Sequence, residues 1–470
     1  MERSEELTKN TFIITIGKIS TQFITFLLLP LYTSLLKAEE YGTVDLITTI
    51  VALFIPILSL MIDQAVFRFL LACQTQEEQK ETISSAFIVL ILLNCGFIFL
   101  YIILLLFIYQ KYKIWILLIL SITSFSNFFL QVSRGLKHIN DYALGSFICS
   151  VVTTILNILC IAFLHMGAIG MLIATFAGNF ICTLFLALKL DIIKYISLHY
   201  FNKECALAQL KYSIPLVPNQ LSLWVMNSSD RFIVAFMLGA GANGILAVAH
   251  KFPSIYMTFF NIFLLAWHES GAIHYFDEDR DDFFSDMLGK IITIFSTMCM
   301  GIITILPFVF NVLVNDSYHE AYFNIPIYLI GFLFNVIIGL LGVIYVATKK
   351  TIEIAKSTLL AAFINIIVNL LLIKKLGLYA ASISTFVGYI ITMIYRIIDT
   401  RKYIDIKYNV KQYILIGFAL SICCIIYYMN NKIISILFIP FFGGISYFVN
   451  KDIIGSILII LKEKKNKLGE

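Results

Sequence analysis

The chain has 470 residues, of which 60% are hydrophobic and only 13% are charged, and its formal net charge is +5. A soluble domain is usually about half apolar and about a quarter charged. The composition therefore excludes an ordinary soluble protein and indicates an integral membrane protein.

Apolar runs divide the chain into membrane-length segments. A helix that crosses a bilayer needs about 20 apolar residues. Runs of this length predict fourteen spans, which lie at residues 10–36, 43–72, 83–109, 114–133, 142–164, 168–190, 210–238, 244–267, 287–314, 322–347, 354–373, 378–398, 411–429 and 432–450. The expected fold is therefore an all-α membrane protein with about fourteen transmembrane helices.

Basic residues predict the orientation of these spans. If the N-terminus lies inside, the inner segments carry 24 Lys and Arg residues, the outer loops carry six, and four lie within spans. Positive residues are enriched in cytoplasmic loops. We therefore expect both termini in the cytoplasm.

Two stretches repeat 210 residues apart. Met166–Gly178 aligns with Leu376–Gly388, and Gly, Ile, Thr, Phe and Gly match. Repeats with an even number of spans are related by an axis along the membrane normal, with the site between them. We expect two pseudo-symmetric six-helix lobes around a central cavity, with boundaries at 1–190 (first lobe), 191–209 (cytoplasmic linker), 210–400 (second lobe), 401–452 (two further helices) and 453–470 (basic tail).

The sequence does not predict a nucleotide site, a metal site or a disulfide framework. Residues 239–244 spell G-x-G-x-x-G, but membrane-length segments flank them, so they predict an outer turn and not a dinucleotide site. No Walker A motif occurs, and the nine cysteines have neither metal-ligand spacing nor the pattern of a disulfide framework. We expect no cofactor and no bound metal.

Four basic residues lie inside predicted spans: Lys18, Arg68, Arg231 and Lys251. A charge near the bilayer centre costs at least about 2.5–3.5 kcal/mol on insertion scales, so such residues mark functional paths. Gln22 lies one turn beyond Lys18 on the same face. The alternative is structural, because each cation could pair with a carboxylate such as Asp45 or extend to an interface.

A polar stripe on the seventh span adds Asn219 and Asp230 to the candidate substrate-binding residues. Such a stripe could equally join helices to one another. Pro215 and Pro218 favour a kink or a break there. Trp224 could stack on a sugar or serve in packing, whereas Trp267 lies near a span end and is predicted to be an interfacial anchor.

The opening of the chain resembles a known family. Its pattern Pro30-Leu31-Tyr32-Thr33, then Glu40-Tyr41-Gly42, then Asp63-Gln64-Ala65-Val66-Phe67-Arg68 is similar to that of Wzx-type polysaccharide-repeat flippases, of the multidrug/oligosaccharidyl-lipid/polysaccharide exporter superfamily. The resemblance implies a V-shaped cavity, alternating access and an undecaprenyl-pyrophosphate-linked oligosaccharide as substrate. Lys18 and Arg68 fall in the helices where this resemblance places cavity cations.

The resemblance also implies a cellular location, a function and a set of partners. It predicts a multi-pass protein of the bacterial cell membrane that flips repeat units for capsule, O-antigen or similar glycans and is not an enzyme. Membrane lipids, a polysaccharide polymerase and other glycan-assembly proteins are the expected partners, and nucleic acid is not. The alternative function is a cation-coupled multidrug exporter of the same superfamily, which would use carboxylates such as Asp45, Asp63 and Asp230.

Overall fold

The computed structural model of the protein describes residues 23–24, 26–105, 111–451 and 455. Within these residues the chain is helical and contains no β-strand. The predicted all-α fold is thus confirmed for the described part. The helices form two compact units, residues 1–247 and 248–470.

In the described part of the chain, the first unit contains nine α-helices and the beginning of a tenth. They are α1 (Leu29–Leu35), α2 (Ala38–Ser59), α3 (Ile62–Leu70), α4 (Gln76–Leu105), α5 (Lys113–Gly135), α6 (Ile139–Asn157), α7 (Gly167–Lys189), α8 (Lys203–Ser213), α9 (Leu216–Leu238) and α10 (Ala240–His274). A π-helical segment, Ile158–Phe163, continues α6.

Among its described residues, the second unit contains the rest of α10 and six further α-helices. They are α11 (Arg280–Leu313), α12 (Glu320–Ala347), α13 (Thr351–Leu376), α14 (Tyr379–Thr400), α15 (Val410–Tyr428) and α16 (Lys432–Val449). The sequence repeat predicts that the second lobe begins at residue 210. Contacts within the structure group α9 with the first unit instead, and the lobe boundaries remain a prediction.

Eleven helical segments of the described chain are long and apolar enough to cross a membrane. The first predicted span lies mostly outside the described residues. The seventh and eighth predicted spans correspond to α9 and α10, which are 23 and 35 residues long and are not among the eleven. Together these segments agree with about fourteen spans.

The second predicted span is not one continuous helix, which corrects the expectation for residues 43–72. It breaks between α2 and α3, where Leu60 and Met61 adopt left-handed backbone angles with φ of 46° and 57°. The Ser59 hydroxyl oxygen accepts a hydrogen bond from the Met61 N–H at 3.2 Å. Because Leu and Met avoid this conformation, the tertiary structure must hold the break in place.

Apolar residues of α3 hold the second half of the broken span. Ile62, Ala65 and Val66 are fully buried in a core formed with α4, α5 and α7. Their spacing of three and four residues places them on one face of α3. Burial of this face holds α3 against these helices.

The predicted linker is ordered against α4. Ser84 donates to the carbonyl of Tyr195, and Ser85 donates to the carbonyl of Asn202 at 3.2 Å. The fully buried Gln209 on α8 donates to the carbonyl of Thr82 at 3.0 Å. The segment between α7 and α9 is therefore a packed part of the first unit.

A buried arginine joins three helices of the second unit. Arg396 on α14 is only 4% exposed, and it donates to the Ser357 hydroxyl at 3.0 Å and to the Ile338 carbonyl at 2.8 Å. These bonds connect α12, α13 and α14. A buried guanidinium must satisfy its donors in this way.

Trp267 is not the predicted interfacial anchor. It is 1% exposed, its indole N–H donates to the Leu340 carbonyl at 3.1 Å, and its ring contacts that of Phe284 at 5.2 Å. The prediction was wrong because the apolar run ends near Trp267 whereas α10 continues to His274. The indole therefore lies inside the second unit.

Candidate functional site

A polar contact joins three helices of the first unit where each lies next to a short turn. We call it the α2–α9–α10 junction, and it comprises Gly42, Asp45, Thr49, Trp224, Arg231, Asn243 and Gly244. On α2, the three residues Gly42, Asp45 and Thr49 have spacings of three and four, so they share one face. This face meets both α9 and α10.

Two glycines bring α2 and α10 into direct backbone contact. A Cβ atom on Gly42 would lie 1.8 Å from the Ala240 carbonyl oxygen, and one on Gly244 would lie 2.0 Å from the Ala38 carbonyl oxygen. Backbone atoms cannot move aside as a flexible side chain can. Small residues allow helices in membranes to approach in this way, so neither position accepts a larger residue without separating the helices.

An ion pair lies at the centre of the junction. The Arg231 guanidinium donates to the Asp45 carboxylate, with 3.0 Å between Nη1 and Oδ1. The side chains are 24% and 13% exposed. Asn243, which is fully buried, donates to the other Asp45 oxygen at 3.2 Å and to the Gly42 carbonyl at 2.8 Å. Asp45 therefore connects α2 to both α9 and α10.

Trp224 adds a second contact between α2 and α9. Its indole N–H donates to the Thr49 carbonyl at 2.9 Å. Trp224 and Arg231 are seven residues apart and so share a face of α9. Of the two roles considered for Trp224, the structure shows the packing contact.

A one-residue turn sets the register of α9 against α10. Gly239 alone separates the two helices, with φ 95° and ψ 169°. Essentially only glycine adopts these angles. Only Gly239 of the G-x-G-x-x-G stretch forms the turn, which corrects the prediction of a turn over all six residues. The remaining five residues begin α10 and supply Gly244 to the junction.

This arrangement is suited to a contact that can open. The charged groups are partly desolvated, so their attraction is stronger than in water, yet separation would return them to a polar environment. Direct backbone contact needs no interdigitated side chains to be extracted. The junction can thus hold α2, α9 and α10 together without a large apolar interface.

The structure brings only part of the predicted substrate-binding set together. Arg231 and Asp230 lie at the junction, where the buried Asp230 carboxylate accepts from the Arg231 backbone N–H at 2.8 Å. Asn219 is exposed in the first turn of α9, twelve residues before Arg231, which is about 18 Å along a helix. It does not join the ion pair.

The remaining predicted residues lie elsewhere. Arg68 is exposed in the last turn of α3, and Lys251 is partly buried on α10 in the second unit. Lys18 and Gln22 fall outside the described residues. The common substrate site proposed from the sequence for these residues remains a prediction.

Asn243 is the junction residue that the sequence did not single out. It lies in the first turn of α10, in a run of small residues where a polar residue is unremarkable. No local pattern identifies it, because its partners Gly42 and Asp45 lie on α2. Asp45 was predicted either to pair with a membrane cation or to serve the alternative exporter function, and the structure shows the pairing with Arg231.

Comparisons with known proteins agree with this architecture. The profile of a family described as "Polysaccharide biosynthesis protein" matches residues 7–267, which is more than half of the chain. A search of curated proteins finds no match.

Solved transporter structures share the fold. The lipid II flippase MurJ in an inward closed conformation aligns over 95% of this chain and 100% of its own, with a TM-score of 0.71 and 17% identity. An inward-facing multidrug resistance MATE family transporter of the MOP superfamily aligns over 83% and 97%, with a TM-score of 0.68 and 15% identity. At such identities the likeness shows the fold, which is that of this transporter superfamily.

Proposed function

Because the chain belongs to the polysaccharide biosynthesis protein family, we propose that it is a flippase for lipid-linked glycans. It carries undecaprenyl-pyrophosphate-linked oligosaccharide repeat units from the cytoplasmic to the outer face of the membrane by alternating access. The family match and the transporter fold support the general class. The choice of substrate rests on the charges described next.

The α2–α9–α10 junction is the observation that carries the proposal. A path through the membrane needs a closure that forms and breaks without unfolding the protein. The ion pair between Asp45 and Arg231, set beside direct backbone packing at Gly42 and Gly244, has these properties. We assign it to the outer side, because the basic-residue distribution places the turn at Gly239 outside.

The charges of the membrane segments favour an anionic cargo. A pyrophosphate carries about two negative charges and binds well to Arg and Lys. One charge crossing 100 mV is worth about 2.3 kcal/mol, so export of two negative charges from a negative interior is downhill by about 4–5 kcal/mol. No ATP-binding motif is then required.

Arg231 takes two partners in this cycle. In the closed junction its guanidinium binds the Asp45 carboxylate. When the junction opens, the pyrophosphate replaces that carboxylate. As predicted from the sequence, Lys251 acts at a late step of export. Lys18 and Arg68 receive the pyrophosphate earlier, on the inner side.

The proposed setting is the bacterial cell membrane, with both termini in the cytoplasm. The oligosaccharide attached to the lipid passes to a polysaccharide polymerase outside and comes from glycan-assembly proteins inside. The protein itself makes or breaks no covalent bond. The final product is a capsule, an O-antigen or a similar glycan.

The multidrug-exporter alternative requires a carboxylate for a cationic drug. Asp45 is engaged by Arg231 and Asn243, and Asp63 accepts from Gln64 at 2.7 Å. Neither carboxylate is presented to a ligand in this conformation. This arrangement favours the anionic cargo.

Substitutions at Lys18 test the charge of the cargo. We expect Lys18→Arg to retain part of the export activity, whereas Lys18→Ala and Lys18→Glu lose it because the anion has no receiving charge. Lipid-linked repeat units should then accumulate on the inner leaflet while the protein is present at its normal amount. Lys194→Glu, at an exposed linker position, is the matched control. Full export by Lys18→Glu contradicts the proposed role.

The order of contacts along the path has its own test. We expect Lys18→Gln to weaken binding of the lipid pyrophosphate to the inward-facing protein. Lys251→Gln should leave this binding intact and slow export, because Lys251 acts later. If both variants lose the same affinity for the lipid pyrophosphate in the inward-facing state, the two lysines belong to a single shared site, and the proposed order is contradicted.

A further inference from the structure

Arg134 is a half-buried cation that contacts two aromatic rings at the end of α5. Its guanidinium carbon lies 4.3 Å from the centre of the Phe67 ring on α3 and 5.6 Å from that of Tyr142 on α6. The Nη1 group donates to the amide oxygen of Gln131 at 3.1 Å. Such cation–π contacts attract the guanidinium to the rings without using its N–H donors.

Among the described residues, Arg134 has no carboxylate within 4.0 Å of its guanidinium, and its polar partner Gln131 is neutral. Asp141, which directly precedes Tyr142, contacts His138 at 3.1 Å. Partial desolvation strengthens the attraction of such a cation for an anion.

Close helix packing holds this cation in place. A Cβ atom on Gly135 would lie 2.6 Å from the Leu70 side chain, so α3 and α5 approach closely at their ends. The turn after α5 is tight, with Lys137 at φ 65° and the Ser133 hydroxyl donating to the His138 carbonyl at 2.9 Å. Both rings are thereby positioned before any ligand arrives.

The exposed Arg68 directly follows Phe67 in the chain. Each arginine guanidinium can donate two parallel hydrogen bonds to a phosphate group. The basic-residue distribution places the ends of α3 and α5 on the cytoplasmic side.

We propose that Arg134, in contact with Phe67 and Tyr142, is a phosphate-binding residue that receives the pyrophosphate of the lipid-linked substrate at the cytoplasmic entrance. This assignment rests on the proposed flippase function. Arg68 supplies the second guanidinium. Binding here precedes any contact with the residues deeper in the membrane.

The test measures binding to the full-length protein in nanodiscs of phosphatidylcholine. The probes are undecaprenyl pyrophosphate and undecaprenol, which share a lipid tail and differ in the charged group. We expect Arg134→Gln to bind the pyrophosphate about tenfold to hundredfold more weakly, as for the loss of charge-assisted hydrogen bonds. Arg134→Lys should bind with intermediate affinity, because an ammonium cannot form the planar fork.

Lys80→Gln is the matched control. Lys80 belongs to the same unit and also stacks on an aromatic ring, with 5.1 Å between Nζ and the centre of the Tyr200 ring. We expect its removal to change the affinity less than about twofold, since it forms no part of the arginine site. Equal weakening in Lys80→Gln and Arg134→Gln would indicate a diffuse charge effect and overturn the proposal.

Three further outcomes are decisive. Unchanged affinity in a folded Arg134→Gln variant overturns the assignment, and if that variant does not fold, unchanged affinity in Arg134→Lys does so. Equal competition by phosphatidylglycerol assigns the site to ordinary lipid headgroups and also overturns it. If the unaltered protein binds undecaprenol as tightly as the pyrophosphate, the proposed function itself fails.

Discussion

Asp45 and Arg231 form an ion pair whose contribution to the free energy of unfolding depends on how far it is exposed to solvent. Exposed pairs contribute about 0–1 kcal/mol, whereas removing one partner of a buried pair costs about 3–5 kcal/mol. With 13% and 24% exposure, this pair lies between these limits. Asn243 strengthens the arrangement because it binds the second carboxylate oxygen.

A double-mutant cycle with Asp45→Asn and Arg231→Gln measures this interaction. We expect each single change to lower the free energy of unfolding, with a coupling energy of about 0.5–3 kcal/mol, because either change leaves the other charge unpaired. Unfolding in mixed micelles provides the measurement. The control is the Asp191–Lys194 pair, whose side chains are 64% and 73% exposed and whose coupling should be near zero. Additive effects at Asp45 and Arg231 contradict an energetic link.

Two glycines at the start of α10, Gly241 and Gly244, differ in the space available for a larger side chain. Gly244→Ala should destabilise the protein and reduce export, because its Cβ would lie 2.0 Å from a backbone carbonyl oxygen. Gly241→Ala is the matched control, since its Cβ would have only the Glu39 nitrogen nearby, at 4.0 Å. We expect that change to alter stability by no more than about 0.5 kcal/mol. Similar melting temperatures for the two variants would show that the close approach is unimportant.

The sequence predicted the charges of the site and offered Asp45 as a possible partner, but it did not identify which cation Asp45 binds. Arg231 stood out because it is a charge in an apolar run. Its pairing with Asp45 depends on the packing of α2 against α9, across a separation of 186 residues. Periodicity within one helix contains no information about a partner in another helix. The same reason explains why the sequence alone does not single out Arg134.

At the level of secondary-structure elements, α2 and α3 show how a broken span is held. α2 contacts α9 and α10 through the junction and also packs Val44, Ile47 and Val51 against α5 and α7. α3 packs into a second apolar cluster with α4, α5 and α7. The left-handed residues Leu60 and Met61 lie between these two sets of contacts, so each half of the span is held by its own buried residues.

Glycine at the break should stabilise this conformation. We expect Met61→Gly to raise the free energy of unfolding by up to about 1 kcal/mol, because glycine adopts φ of 57° without the usual steric cost. Ile57→Gly, four residues earlier and within α2, should lower it by about 1 kcal/mol. Opposite signs in thermal or denaturant unfolding support the strained break. A loss of similar size in both variants means that residue 61 bears no strain.

Element boundaries were predictable only where local chemistry sets them. Pro215 and Pro218 favoured an interruption, and α8 ends at Ser213 while α9 begins at Leu216. The break at Leu60 had no such signal, since Leu and Met are ordinary helix residues. Tertiary packing overrides their preference, and this cannot be read from one apolar run.

For the whole molecule, the distribution of charge predicts the orientation in the membrane. Single cysteines at exposed positions in a cysteine-free background test this prediction. An impermeant reagent should modify Asp316→Cys in intact cells, and Lys203→Cys only after permeabilisation, because the linker lies inside. The reverse pattern would invert every statement made here about inner and outer sides.

Transport between leaflets is the central claim, and one measurement tests it most directly. Purified protein is reconstituted into liposomes with a fluorescent undecaprenyl-pyrophosphate oligosaccharide, and a membrane-impermeant quencher reports the leaflet that holds the glycan. We predict redistribution between leaflets that is accelerated by a membrane potential negative on the donor side, slowed by Gly244→Ala and absent from protein-free liposomes. Leaflet populations that stay as static as in protein-free liposomes, while the same vesicles transport a cationic dye, would contradict the account.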